Sequence, residues 1–219
     1  MIGMNPPNDP FPASEFDDWA GTYDASVSIN QFPFFGYQDI LARIVALAKP
    51  IRGMSVLDLG TGTGNLAARF AVLGCDVWCT DFSVPMLAQA RQKIPDAHFV
   101  QHDLRRHWPE ELRRPFDRIV SAYVFHHFEL DEKIRILRDL ASNLASGGRM
   151  IIGDIAFPNL ASQERVKTEV GAEWEQEHYW LADESLAALY KAGLPASYTQ
   201  VSSCAGMFVL THLLGNKAG

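Results

Sequence analysis

From residue 54 onward, short apolar runs alternate with longer stretches in which apolar residues recur at helical spacing. The short runs suit buried strands, and the longer stretches suit helices with one inward face. Runs at 54–59, 76–81, 98–101, 116–124 and 150–155 read as successive strands. Between them, Leu66, Phe70 and Leu73 fall on one helical face that Gly74 stops. Ser83 reads as the N-cap of the next helix, with Pro85 in its first turn and Leu87, Ala90 and Ile94 inward. A further helix begins near Asp131, turns Ile134, Leu137, Leu140 and Leu144 inward, and stops at Gly147-Gly148. Later, Asp183 caps a helix carrying Leu186, Leu189 and Tyr190 that Gly193 ends. Runs at 197–202 and 207–214, parted by Cys204-Ala205-Gly206, read as a closing hairpin.

This alternation predicts an α/β fold: a doubly wound, mostly parallel seven-stranded sheet with an antiparallel C-terminal hairpin. Two segments stand outside it. Residues 13–50 are rich in aromatics (Phe16, Trp19, Tyr23, Phe32, Phe34, Phe35, Tyr37) and become helical at 39–48. Residues 156–182 form an insert holding Trp174, His178, Tyr179 and Trp180. Doubly wound sheets bind ligands beyond the carboxyl ends of their strands, and both segments are expected over that edge, the first as a helical lid. Residues 1–12 read as a loose tail, and 1–219 as a single domain.

Charge and composition narrow the partners. At 219 residues and 47% hydrophobic, the chain has enough apolar surface for one sizeable core. A formal charge of −7 and a pI near 5.4 argue against a nucleic acid or an anionic membrane as the main partner, since both need a basic face, and the lack of a long apolar run argues against membrane insertion. The pairs Arg105-Arg106 and Arg113-Arg114 are flanked by acids and read as solvated surface. Cys75, Cys79 and Cys204 show no CxxC spacing, and Cys75 and Cys79 lie too far apart along one strand to bridge. With no signal peptide and no bilayer-length apolar run, a reducing, cytoplasmic setting is expected. Oligomeric state is not legible.

The chemistry concentrates at Val56-Leu57-Asp58-Leu59-Gly60-Thr61-Gly62-Thr63-Gly64. A buried strand ends in an acid, a turn without side chains follows, and a helix then starts with free N–H groups. A dinucleotide fingerprint would read G-x-G-x-x-G, but here the last glycine comes one position early. Asp58 would also repel a pyrophosphate. Both features favour a ligand with positive charge and no phosphate.

With this loop the chain resembles the class I S-adenosylmethionine-dependent methyltransferases, over about residues 16–157, with the closing hairpin in order. The resemblance implies that the backbone of Gly60, Thr61, Gly62 and Gly64 cradles the methionine part of S-adenosyl-L-methionine and that Asp58 holds its ammonium. It implies that Asp81 accepts both ribose hydroxyls, with Phe82 and Met86 in the same cofactor set. Asp103 would accept from the adenine amino group, the Leu104 backbone would meet the ring edge, and Ser121 would pass the methionine moiety. Phe16-Asp17-Asp18-Trp19-Ala20-Gly21-Thr22-Tyr23-Asp24 is similar to the F-D-x-x-A-x-x-Y-D entry segment of small-molecule methyltransferases, including those of quinone biosynthesis. There the tyrosine, Tyr23 here, lies near the cofactor. The product would be S-adenosyl-L-homocysteine.

Methyl transfer from a sulfonium is an in-line displacement, driven mostly by alignment and exclusion of water. A base matters only where the O, N or C acceptor must lose a proton. His126 and His127, past the fourth strand, are the candidates for it, although Val124–Phe128 could equally just shape the loop. Tyr23, Asp154, His178 and Tyr179 could also reach a small-molecule acceptor. Trp174 and Trp180 either stack on a planar substrate or pack the insert. Five Glu against one Arg and one Lys in 161–177 favour a neutral or cationic acceptor, or mark a solvated helix. The histidines show no zinc-type spacing, so no metal is expected. The N/D-P-P-Y motif of DNA-base and glutamine methylases is absent. A cofactor-binding module without catalysis and an NAD-dependent oxidoreductase are the alternatives.

Overall fold

The computed structural model describes residues 13–211. Eight strands form the sheet: β1 (Ser55–Leu59), β2 (Asp76–Asp81), β3 (His98–Gln101), β4 (Phe116–Ala122), β5 (Leu144–Phe157), β6 (Trp180–Leu181), β7 (Ala196–Gln200) and β8 (Ala205–Thr211). Their order is β3-β2-β1-β4-β5-β8-β7, with β6 paired to the end of β5. Pairs within β3-β2-β1-β4-β5 are parallel, while β8 is antiparallel to both β5 and β7. β1 leads outward to β2 and β3, and the chain then returns to place β4 on the other side of β1. The crevice at the carboxyl ends of β1 and β4 is therefore the switch point of the sheet.

The central strands are continuous apolar runs because they are covered on both faces. Side-chain alternation sends neighbouring residues to opposite sides. Val56, Val120, Ile151 and Met207 join one core with Ile40 and Ile44 of α3 (Tyr37–Ala48) and with Leu66 and Phe70 of α4 (Asn65–Val72). Leu57, Ile119, Ile152 and Phe208 join the other, with Ile136, Leu137 and Leu140 of α6 (Leu130–Ala141) and Leu189 of α8 (Ala182–Lys191). Helix α5 (Val84–Lys93) starts as its sequence suggests: the Met86 N–H donates to Ser83 Oγ at 3.3 Å, and Leu87, Ala90 and Ile94 are buried.

Several local expectations are corrected. Leu73 is 47% exposed because α4 ends at Val72 and the chain turns through Gly74 at φ +79°. Helix α6 stops at Ala141, well before Gly147. Leu144 repeats the helical spacing from Leu140, yet it pairs with Phe116 as the first residue of β5. The Phe116 N–H donates to Asn143 O at 2.8 Å and the Asn143 amide to Leu112 O at 2.7 Å, which holds this early strand start. Within α6, Ile134 is only half-buried, and Lys133 and Ile136 point inward beside Leu137. Asp183 lies in the first turn of α8, whose N-cap is Leu181, and Tyr190 is 77% exposed. β4 ends at Ala122, because Tyr123 takes φ +58° and turns the chain.

The insert adds a strand that was not expected, β6, which pairs Trp180 and Leu181 with Ala156 and Phe157. The hairpin turn lies before Ala205, with the N–H groups of Val201 and Ser202 both donating to Ala205 O. Gly206 is inside β8, and a Cβ there would sit 2.5 Å from the Tyr198 ring. Cys75 precedes β2, and all the cysteines are free. Among the described residues no helix is long and apolar enough to cross a membrane. The expected tail at 1–12 and the end of the hairpin run at 212–214 lie outside the described residues.

Candidate active site

The loop after β1 has φ +60° at Gly60, +54° at Gly62 and +86° at Gly64, conformations that L side chains resist. A Cβ on Gly60 would lie 2.4 Å from Val124 Cγ2, and one on Gly64 would lie 3.1 Å from Ala90 Cβ. These glycines let the loop pack against the turn that follows β4 and against α5. At Gly62 a Cβ would meet nothing within 4 Å, so its bare face opens on a cleft.

That cleft, about 480 Å³, lies at the switch point. Of the expected cofactor residues, Tyr23, Gly60, Gly62, Asp81, Phe82, Met86, Asp103 and Leu104 line it. Asp58, Thr61, Gly64 and Ser121 do not. Ser121 is wholly buried and its hydroxyl donates to Leu59 O at 2.9 Å, tying β4 to β1. The Thr61 hydroxyl donates to Asp58 O at 3.0 Å. Asp58 is 2% exposed, and its Oδ2 has no hydrogen-bond partner. Burial pushes its carboxyl up to about 8.

Asp81 ends β2 and receives the Gly62 N–H on Oδ2 at 2.8 Å and the Ser83 N–H on Oδ1 at 2.9 Å. Burial raises its carboxyl to about 6 despite these donors. Asp103 is gripped by Arg105, whose Nε lies 3.0 and 3.1 Å from the two carboxylate oxygens. Arg105 thus lines the cleft and is not simply solvated surface.

The N-terminal helices are tied by two carboxylates to the loops after β1 and β2 and to α5. The Ser83 hydroxyl donates to Asp17 of α1 (Ala13–Trp19) at 2.6 Å. Asp24 of α2 (Tyr23–Ser26) accepts from the Thr63 hydroxyl at 2.6 Å, Asn65 Nδ2 at 3.0 Å and Lys93 Nζ at 2.6 Å. The Phe16 ring stands edge-on to Phe82 at 5.1 Å and to His127 at 5.3 Å, roofing the cleft.

A polar cluster forms the opposite wall. His126 and His127 occupy a 3-10 turn, Phe125–His127, just past β4. His126 Nδ1 lies 2.6 Å from Asp154 Oδ1, and Asp154 Oδ2 accepts the Trp180 indole N–H at 3.0 Å. Burial opposes ionisation of Asp154, but the adjacent His126 imidazole, with Lys133 and the Ile155 N–H, offsets it and holds the carboxyl low. Glu177 bridges the two imidazoles, with Oε1 3.2 Å from His127 Nδ1 and Oε2 3.7 Å from His126 Nε2. Lys133 is 2% exposed; its ammonium lies 4.4 Å over the Trp180 ring and donates to His178 O. Burial lowers that lysine to about 8.

The tryptophans of the insert pack. Trp174 stacks on Phe32 at 5.3 Å, and Trp180 is 1% exposed against Phe208. The Tyr179 hydroxyl donates to Glu175 O at 2.6 Å, while His178 lines the cleft. Sequence reasoning missed Glu177, Lys133 and Arg105. Lys133 had a signal, since it shares a helical face with Leu137 and Leu140. Glu177 had none, as it sat among acids that read as a solvated face.

A family model described as a methyltransferase domain matches residues 56–148. An uncharacterized methyltransferase of Anoxybacillus flavithermus is 34% identical over 190 residues, covering 83% of this chain and 82% of that protein. Another, from Bacillus velezensis, is 33% identical over 200 residues, covering 84% and 90%. Among solved structures, a DhpI–SAH complex matches with TM-score 0.67 at 22% identity, over 90% of this chain and 93% of that one. SAH-bound magnesium protoporphyrin IX methyltransferase (ChlM) from Synechocystis PCC 6803 matches with TM-score 0.68 at 18% identity, over 92% and 100%. The solved structures agree in fold, and the relatives at higher identity span most of both chains. The chain belongs to the class I S-adenosylmethionine-dependent methyltransferases.

Proposed function

We propose that this methyltransferase acts on a small-molecule acceptor, with His126 and His127 meeting the acceptor's nucleophilic atom. One observation carries the reading: a single cavity runs from Gly62 and Asp81 to His126, His127 and Glu177 under a latched lid. Cofactor and acceptor would then share one closed space, as in-line displacement requires. The residues present fit the cofactor, which supplies a methyl group on a cationic sulfonium. Gly62 offers a bare backbone face, and Asp58 holds a buried carboxylate oxygen with no partner for an ammonium to satisfy. Asp81 would accept the ribose hydroxyls through the lone pairs left by its two backbone donors. Phe82, Met86 and Leu104 would flank the adenine, Asp103 would accept from its amino group, and Tyr23 would close the site from the lid.

On the acceptor side, Asp154 takes the Nδ1 hydrogen of His126, so Nε2 is the atom left for other partners. The cleft walls are mostly aromatic and acidic, which suits a compact neutral or cationic molecule more than a polyanion. The test is S-adenosylhomocysteine release with small hydroxyl- and amine-bearing acceptors, set against RNA, DNA and protein. Turnover with small molecules is the expected result. Turnover confined to macromolecules would overturn the reading.

A further inference from the structure

We propose that His126, His127 and Glu177 bind a divalent first-row transition-metal ion, Zn²⁺ by ligand type, on the acceptor side of the cleft. This deepens the methyl-transfer reading, in that the two imidazoles then meet the acceptor atom through the ion, and rests on it for the ion's place in the reaction. Each residue offers one ligand atom, and the atoms lie within 4.8 Å of one another. All three residues line the cavity. Adjacent residues usually point apart, but the 3-10 turn brings the two imidazole centroids to 4.1 Å. Glu177 then divides its oxygens between them, one beside each ring.

The outer shell is already built. Asp154 is fully buried and engages His126 Nδ1, leaving Nε2 as the ligand atom on the Glu177 side. A carboxylate behind a histidine in this way fixes tautomer and ring orientation at metal sites. Asp154 is itself held by the Trp180 indole and the Ile155 N–H at 3.0 and 2.8 Å, so it cannot swing away. Two imidazoles and one carboxylate suit zinc and its neighbours, whereas Mg²⁺ and Ca²⁺ favour oxygen sets. Three protein ligands leave a position open to the cavity, the pattern of catalytic rather than structural zinc. There an acceptor oxygen or nitrogen could bind and be held behind the methyl group.

The surrounding charge permits a cation. Glu129, Glu132 and Glu175 line the same cavity, and Asp154 lies behind it. Lys133 and Arg105 are the opposing charges, but the Lys133 ammonium is engaged by His178 O and the Trp180 ring, and the Arg105 guanidinium by Asp103.

The test uses tag-free protein, stripped with a chelator and titrated with Zn²⁺ or Co²⁺ alone. One equivalent should bind, Co²⁺ should give visible d–d absorption, and melting temperature should rise. Glu177→Gln and His127→Ala should each weaken binding at least tenfold, and Asp154→Asn by about 10–100-fold. Glu177 lies on the partly exposed insert, so its variant keeps the test open should the histidine variants fail to fold. Absence of stoichiometric binding, or binding indifferent to these substitutions, overturns the proposal. S-adenosylhomocysteine binding to the stripped protein separates the two readings. If it persists without metal binding, only the metal site falls. If the metal binds and S-adenosylhomocysteine does not, the methyl-transfer site falls, and with it the ion's place in the reaction.

Discussion

His126 Nδ1 and Asp154 Oδ1 lie 2.6 Å apart across a sequence separation of 28 residues, both side chains buried. His126 follows the end of β4, and Asp154 lies within β5 one residue beyond the last one paired to β4, so the sheet itself brings them together. Removing Asp154 strands three buried donors: the His126 imidazole, the Trp180 indole and the Ile155 N–H. Asp154→Ala should therefore cost about 3–5 kcal/mol of stability, the usual loss on breaking a buried pair from one side. Urea unfolding at neutral pH measures it, and a loss below about 1 kcal/mol would mean that His126 is held by something else.

Asp81 carries the ribose assignment. Asp81→Ala should weaken S-adenosylhomocysteine binding by about 1.5–3 kcal/mol through lost charge-assisted hydrogen bonds. The free protein holds the proton on this carboxyl up to about 6, and the ribose needs the ionised form. Affinity should rise with pH through that value, and Asp81→Ala should lose that part of the rise. Calorimetry between pH 5 and 8 gives the profile, and an unchanged affinity in the variant would make Asp81 purely structural.

Asp58 predicts a proton count. Its carboxyl is pushed up to about 8, so at pH 7 it is largely protonated. An ammonium arriving beside it would favour the carboxylate and expel the proton. Binding heats in buffers of different ionisation enthalpy should show most of one proton released at pH 7, and Asp58→Asn should abolish the release. The sign for folding also follows. A folded-state value above the unfolded 3.8 means the native state holds the extra proton, so this group's contribution falls as pH rises from about 4 to about 8. The stability difference between wild type and Asp58→Asn across that window isolates it.

Gly60 and Gly62 share a backbone sign but not a neighbourhood. Gly60→Ala adds a 2.4 Å clash with Val124 to the left-handed strain, and it should destabilise the fold. Gly62→Ala meets open space, so it should cost only the strain, about 1–2 kcal/mol. Its methyl would nevertheless occupy the face left for the cofactor. A folded Gly62→Ala protein with normal S-adenosylhomocysteine affinity would remove the loop from the binding site.

Asp24 latches the lid through Thr63, Asn65 and Lys93, but the pair is partly exposed, at 51% for Asp24 and 29% for Lys93. Asp24→Ala should therefore change stability by no more than about 1 kcal/mol. Its effect should fall on residence, with faster cofactor dissociation in stopped-flow measurements and a raised KM. An unaltered dissociation rate would show that the lid opens elsewhere.

How much was legible follows from the range of each signal. β3 was read to the residue, and the Ser83 cap and α5 core face were read correctly, because local spacing and capping chemistry decide them. Leu144 was misplaced because Leu140 and Leu144 satisfy a helical period as well as a strand start. Only the Phe116 partner, from a distant strand, distinguishes the two. Arg105 was read as surface for a similar reason, since its place on the cleft comes from its grip on Asp103 and the path of the loop.

By itself, the sequence determined the doubly wound sheet, the glycine loop with Asp58 and Asp81 at consecutive strand ends, and hence the methyl donor. These rest on periodicity, on positive-φ turns and on short-range motifs, all written locally in the chain. The tertiary structure alone decided the polar wall of the cleft. Glu177 reaches His126 and His127 because β6 pairs the insert to the end of β5 and the His178 N–H donates to His126 O at 3.0 Å. Lys133, Asp154 and Trp180 converge only once α6, β5 and β6 have packed together. No period or spacing encodes such meetings, which arise from burying both faces of the sheet at once.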